Sequence, residues 1–146
     1  VEPLLSDARE GLWCAAGAFH VDPREPVTLA VVTHAHADHA VPGSSAYLCA
    51  APSLSLLRHR LGPEAAIEGL PYGEPRRLGE ARISFHPAGH VLGSAQVRIE
   101  RGGEVWVVTG DYKREADPTC APFEPVRCDV LVTEATYALP IFRWDD

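Results

Sequence analysis

Methionine is missing from all 146 residues, position 1 included. We therefore read the chain as a piece of a longer protein. Its ending, Phe142-Arg143-Trp144-Asp145-Asp146, supports that expectation, since it offers neither a closing helix nor a polar tail. Positive charge is also scarce: Lys and Arg number 13 against 20 Asp and Glu, a net charge of −7. That balance argues against a broad basic surface for wrapping nucleic acid. It leaves room for a local site where bound cations supply the positive charge. Cysteine is limited to Cys14, Cys49, Cys120 and Cys128, with no C-x-x-C pair. No disulfide framework is implied, and small buried hydrophobes in a reducing cytosol are expected. No apolar run approaches the roughly 18 residues of a membrane span, and no signal peptide is read, so cytoplasm is the expected location. Internal repeats and low-complexity stretches are lacking as well. A chain of this length suits one domain, able to bury about 68–70% of its unfolded surface.

What is there reads as short strands with helices at intervals. Leu12 to Ala15 and Ala18 to Val21 form two short strands around Gly17, followed by Asp22-Pro23 and a Pro-bounded loop. Thr28 to Val32 and Ala46 to Ala50 are buried-type strands. Pro52 to Leu61 reads as a helix, with Leu54, Leu57 and Leu61 at spacings of three and four and Gly62 as its stop. A further turn of helix is expected between Glu64 and Gly69. From Arg76 onward strands dominate: Ala81 to His86, Ala95 to Glu100, Glu104 to Thr109 and Cys128 to Thr133. Gly102-Gly103 supplies a hairpin turn, and Val105 to Val108 is expected to be covered on both faces. This alternation argues for a layered α/β protein.

Thr33 to His39, Thr-His-Ala-His-Ala-Asp-His, organises the rest. Three imidazoles and a carboxylate directly follow a strand, where a tight loop delivers them to one edge of a sheet. Such groups are the ligands zinc-class ions prefer in sites that keep a position open for water. His34 and His36 alternate by two, so an extended segment points both the same way. Asp38 and His39 follow where the chain turns, facing a second ion beside the first. Two later loops add His90, held between Gly89 and Gly93, and Asp111, at the end of the strongest strand. His34, His36 and His90 make a three-histidine site. Asp38, His39 and Asp111 make an adjoining oxygen-rich one, with Asp111 able to bridge both. His86 competes with His90 but belongs to a strand and precedes Pro87, which restricts it. His20 and His59 are expected to be packed or solvated. Asp22 is either an Asx-turn residue or the group that orients a ligand imidazole.

The motifs THAHADH (33–39), AGHVLGS (88–94) and GDYK (110–113) resemble those of the metallo-β-lactamase superfamily, an αββα sandwich with a dinuclear zinc site on one edge of its sheets. The stretch VTEATY (132–137) resembles the acidic motif that opens the β-CASP branch, whose members include Artemis-related nucleases and the pre-mRNA 3′-end endonuclease. GLWCAAGAFHVDP (11–23) and DYKREADPTCAPFEPVRCD (111–129) are most similar to bacterial DNA-ligase-associated exonucleases, often labelled mRNA 3′-end processing factors. The resemblance implies that His34, His36, Asp38, His39, His90 and Asp111 hold two zinc ions. It matches Asp22 to the first acidic motif and Glu134 to the acidic residue that supports a proton-donating histidine. It also implies that residues 1–146 are the N-terminal part of the sandwich. The β-CASP cap, the closing elements and two further histidines would lie beyond Asp146.

The implied activity is zinc-dependent hydrolysis of phosphodiester bonds at DNA or RNA ends, in repair or end processing. A metal-activated water available near pH 7 would serve as nucleophile. Asp38 would orient it and Glu134 would help protonate the leaving oxygen. Arg76, Arg77, Lys113 and Arg114 are candidate phosphate contacts or exposed charges on turns. The implied partners are nucleic acid, DNA ahead of RNA, and a DNA ligase; no membrane is implied. Two rivals are a hydrolase of a small ester or thioester on the same fold, and a metal-binding fragment without activity of its own. The Thr-Glu-Ala-Thr-Tyr stretch (133–137) speaks for the nuclease.

Overall fold

The computed structural model describes residues 3–141. The 142–146 ending, where no closing helix is expected, lies outside the described residues.

Two sheets face each other. The first holds six strands in the order β1 to β6: β1 (Ser6–Ala8), β2 (Gly11–Cys14), β3 (Phe19–Val21), β4 (Leu29–Val31), β5 (Ala46–Ala50) and β6 (Ile67–Leu70). β1, β2 and β3 pair antiparallel, and from β3 to β6 the pairing is parallel. The second sheet runs β11-β10-β9-β8-β7, from β7 (Arg76–Leu78), β8 (Ala81–Pro87), β9 (Ala95–Arg101), β10 (Glu104–Val108) and β11 (Val130–Val132). Its pairs are antiparallel except β10 with β11. Gly102 and Gly103, at φ 60° and 90°, make the β9–β10 turn in a conformation that favours glycine at both positions.

Strand alternation builds the layers. Phe19, Val21, Val31 and Leu48 point from the first sheet onto Ile83, Phe85, Val97 and Ile99 of the second, all at most 3% exposed. Their neighbours Ala30, Val32, Tyr47 and Cys49 face the other way, onto Leu57 of helix α1 (Leu54–Leu61). A 3-10 turn at Ala51–Ser53 precedes α1, and the Gly62 N–H closes it on the Arg58 carbonyl at 3.0 Å. The outer face of the second sheet carries His86, Gln96 and Arg98 and is covered by the irregular segment 111–129. Gln96 anchors that segment by donating to the Glu124 carbonyl at 2.7 Å. Among the described residues the layers are therefore helix, sheet, sheet and loop, an α/β sandwich whose fourth layer is not helical.

Three expectations need correction, and two strands were not foreseen. The stretch 64–69 yields no helix: Ile67 to Leu70 is β6, extending the sheet beside β5. An extended chain there satisfies the open backbone groups of the β5 edge. Gly69 permits a close approach to Ala51, whose Cα would sit 3.0 Å from an added Cβ. Within β10 only Val107 and Val108 are buried, while Val105 and Trp106 are half-exposed because β10 lies one strand from the sheet edge. The short strands β1 and β7 escape a periodicity reading, being three residues each. All four cysteines are free, but only Cys14 and Cys49 are buried. Among the described residues no helix is long and apolar enough to cross a membrane.

Candidate metal centre

Three loops leave the ends of β4, β8 and β10 on the same edge of the sandwich, and each delivers one part of the centre. The first continues β4. Val32 still pairs with the Leu48 carbonyl at 2.9 Å, and Thr33 and His34 are buried. The chain then turns, the His36 carbonyl accepting the N–H groups of His39 at 3.2 Å and Ala40 at 2.9 Å. That turn swings Asp38 and His39 back beside the strand end. The second loop, 88–94, is shaped by Ser94, whose hydroxyl accepts the N–H groups of His90 and Val91 at 3.0 and 3.2 Å. It is tied to the first loop by the Ala95 N–H on the Thr33 carbonyl at 2.8 Å. The third loop begins at Gly110, φ 55°, where an added Cβ would lie 2.6 Å from the Thr33 hydroxyl. Only glycine lets Asp111 come this close to Thr33.

The result is a compact donor set. Ligand atoms of His34, His36, His90 and Asp111 all lie within 4.8 Å of one another. His34 Nε2 is 3.0 Å from His36 Nδ1, which is 3.4 Å from His90 Nε2. Asp111 Oδ2 faces His34 Nε2 at 3.8 Å and His90 Nε2 at 3.7 Å. Its other oxygen, Oδ1, faces His39 Nε2 at 3.4 Å, and Asp38 Oδ2 lies 3.6 Å from the same nitrogen. One carboxylate thus looks at two donor groups.

Asp22 sets the tautomers. It sits at the end of β3 with φ 43°. Oδ1 accepts the Thr33 N–H at 2.8 Å, and Oδ2 accepts the Thr33 hydroxyl at 2.6 Å and faces His39 Nδ1 at 2.8 Å. Of the two readings of Asp22, the geometry is the one in which it orients an imidazole. With its proton given to Asp22, the Thr33 oxygen accepts from His34 Nδ1 at 3.0 Å, which leaves His34 Nε2 bare. Burial, then the neighbouring His39, His36 and His90, pushes His34 down to about 3, so its ring is neutral at neutral pH. Burial also works against a charge on His39. The Asp22 hydrogen bond and the charges of Asp22, Asp111 and Asp38 outweigh it and raise that ring. The bare His34 Nε2 converges with His36, His90 and the Asp111 carboxylate, an arrangement that a cation among them would stabilise. Three imidazoles with one oxygen are the borderline-to-hard set that suits zinc-class ions.

No protein-family model matches the chain. A probable DNA ligase from Opitutus terrae is 30% identical over 132 residues, which are 89% of this chain and 13% of that protein. Endoribonuclease YSH1 of Gibberella zeae is 42% identical over 76 residues, 50% of this chain and 9% of the endoribonuclease. Among solved structures, the metallo-β-lactamase fold protein YhfI from Bacillus subtilis superposes with a TM-score of 0.50 at 16% identity, over 68% of this chain and 52% of that one. The chain belongs to the metallo-β-lactamase superfamily, in its β-CASP branch. It spans only 13% and 9% of the length of the two curated relatives.

The remaining candidates of this β-CASP chain divide in two. Glu134, just past β11, lines a cavity of about 290 Å³ together with Asp22, His39 and Asp111. It accepts the Tyr112 N–H at 3.1 Å and the Thr136 hydroxyl at 2.6 Å. Burial works against its charge, but the hydrogen bonds from Thr136 and Tyr112 and the charge of His90 hold its carboxyl below the usual range. Lys113 and Arg114 share a second cavity with Glu134. Arg76 and Arg77 do not reach this edge. Arg76 forms a two-pronged ion pair with Glu68 of β6 and lines a cavity with Leu29 and Ala46. Those residues begin β4 and β5, at the end opposite the metal loops. Arg77 turns its Nε onto the Gly79 carbonyl at 3.1 Å. His86 is likewise outside, its ring bridging Ser84 and Glu124 at 3.0 Å each on the outer face of β8. His20 packs against Trp13 with ring centroids 4.6 Å apart, and His59 is exposed.

Sequence reasoning assigned no role to Thr33, Ser94 or Arg60. Thr33 stands at the head of the motif and Ser94 at the end of AGHVLGS, so both were open to a capping argument. Arg60 gives no such signal: its Nε reaches the Ala35 carbonyl, between His34 and His36, only because α1 packs on the outer face of β4. Asp22→Asn is expected to weaken metal binding about 10–100-fold by releasing the His39 ring and the Thr33 hydroxyl. Chelator competition would measure it; unchanged affinity in a folded variant would contradict the role.

Proposed function

We propose that this chain is the metal-binding part of a zinc-dependent nuclease that hydrolyses phosphodiester bonds at DNA or RNA ends. The observation that carries the reading is Asp111, whose two oxygens face His34 and His90 on one side and His39 on the other. His34, His36, His90 and Asp111 would hold one zinc ion, and Asp38, His39 and Asp111 a second. Metal bound by these residues would neutralise charge building at phosphorus and make a nucleophile available at neutral pH. Asp38, with its side chain 80% exposed and its Oδ2 3.6 Å from His39 Nε2, can orient an attacking water. Glu134, kept ionised by its hydrogen bonds, is placed to steady a cationic proton donor beside the leaving oxygen.

The similarity to an endoribonuclease supports nucleic acid as substrate, and the similarity to a probable DNA ligase supports DNA ends and a ligase as partner; we extend the reading to exonucleolytic processing, DNA ahead of RNA. We place the activity in the cytoplasm, in a longer protein that adds the β-CASP cap and closing strands. End-labelled single-stranded and frayed DNA and RNA test this. The longer protein, loaded with zinc, should cleave them and lose that activity on chelation. Glu134→Gln should slow cleavage about 100-fold or more while keeping the metal. A protein that holds zinc and hydrolyses a thioester or lactone, yet leaves every strand intact, would overturn the reading.

A further inference from the structure

Glu134 borders two cavities. On one side lies the metal-facing cavity with His39 and Asp111. On the other lies a groove of about 660 Å³ walled by Tyr112, Lys113, Arg114, Thr136 and Tyr137. Its walls come from the loop after Asp111 and the loop after β11. The Glu134 carboxylate joins them, accepting from the Tyr112 N–H and the Thr136 hydroxyl. A turn closed by the Ala138 N–H on the Ala135 carbonyl at 3.1 Å presents Tyr137, 58% exposed, along the groove. Tyr112 is braced from behind by Phe123, ring centroids 5.4 Å apart. Arg114 is exposed and makes no ion pair among the described residues, while Lys113 is held only loosely by Asp117 at 3.8 Å.

An exposed aromatic face, a guanidinium and an ammonium along one groove match the alternation of base and phosphate in a single strand. Bases inside a duplex offer no face to stack on. The groove also holds Glu115 and Glu134, which offset its two cations. Broad positive potential therefore supplies little here, and stacking must supply much of the hold.

Resting on the nuclease reading, we propose that this groove seats one unpaired nucleotide next to the scissile bond. Its base stacks on Tyr137, and Arg114 and Lys113 take its phosphate.

The test is binding of short labelled oligo-dT and oligo-U by the full-length zinc-loaded protein, by anisotropy across a salt series, with phosphorothioate linkages to block turnover. Tyr137→Ala should bind about fivefold or more weakly, and Tyr137→Phe should restore the affinity. Strands with abasic sites should bind wild type as weakly as Tyr137→Ala does, and should not sense that substitution. Arg114→Ala should flatten the salt slope by about 0.7, one single-strand phosphate contact. Comparison of the two strands shows whether the seat prefers deoxyribose or ribose. If wild type binds the strands and both alanine variants match it in affinity and salt slope, the groove assignment is wrong and the nuclease reading survives. Wild type that binds neither strand sinks both. The abasic strands probe wild type itself, so a variant that fails to fold does not shelter the proposal.

Discussion

Asp111→Asn should empty both donor groups at once. The amide keeps the shape of the side chain, so the sandwich should fold as before. It removes the negative charge that three imidazoles share on one side and His39 with Asp38 on the other. Loss of groups that merely orient ligands weakens metal about 10–100-fold, so loss of a ligand to both sites should cost at least about 100-fold in affinity and in cleavage. Asp38→Asn is the comparison, since among the described residues its carboxylate approaches His39 and not the three-histidine group. It should weaken one site and leave the three-histidine group loaded. Metal content after dialysis, read beside chelator competition, separates the two. An Asp111→Asn chain that retains as much zinc as wild type would refute the bridging role.

Gly93→Ala should be the most damaging small change to stability, at about 3 kcal/mol or more. Gly93 sits at φ 76°, and an added Cβ would lie 2.3 Å from the Ser53 nitrogen and 2.4 Å from its Cα. Those are backbone atoms at the start of α1, and they cannot move aside without shifting the helix. Gly102→Ala is the control. Its φ of 60° is similar, but nothing lies within 4 Å, so it should cost only the about 1–2 kcal/mol of a left-handed alanine. Urea unfolding of both variants measures the difference. Equal losses would mean that backbone strain, and not the packing of the His90 loop on Ser53, makes this glycine necessary.

Much of the site was legible because its parts are local. His34 and His36 follow a β-branched strand at a spacing of two, so their common direction is a property of extended backbone. The choice of His90 over His86 rested on the same argument: a strand residue beside a proline has its direction set, and His86 indeed faces the outer side of β8. The core alternation of β8 and β9 could be read for the same reason. Stretch 64–69 failed because an apolar residue followed by Glu-Gly-Leu fits a helix turn and an edge strand equally well. The open edge of β5 decided it.

Arg76 and Arg77 show the limit most clearly. As letters they are as suitable for phosphate as Lys113 and Arg114. Their strand, however, lies at the sheet edge farthest from β11, and Glu68 occupies Arg76.

The sequence by itself determined the inventory of candidate ligands, the strand-then-loop order and the glycines at the sharp corners, since each depends on neighbours a few residues away. The tertiary structure alone decided that Asp111 turns one oxygen to each donor group and that Asp22 holds both Thr33 and His39. It also decided which cations stand beside Glu134 and that Arg60 braces Ala35. Those contacts join residues from different strands, helices and loops. Their distances follow from how the two sheets and α1 stack, which no window along the chain contains.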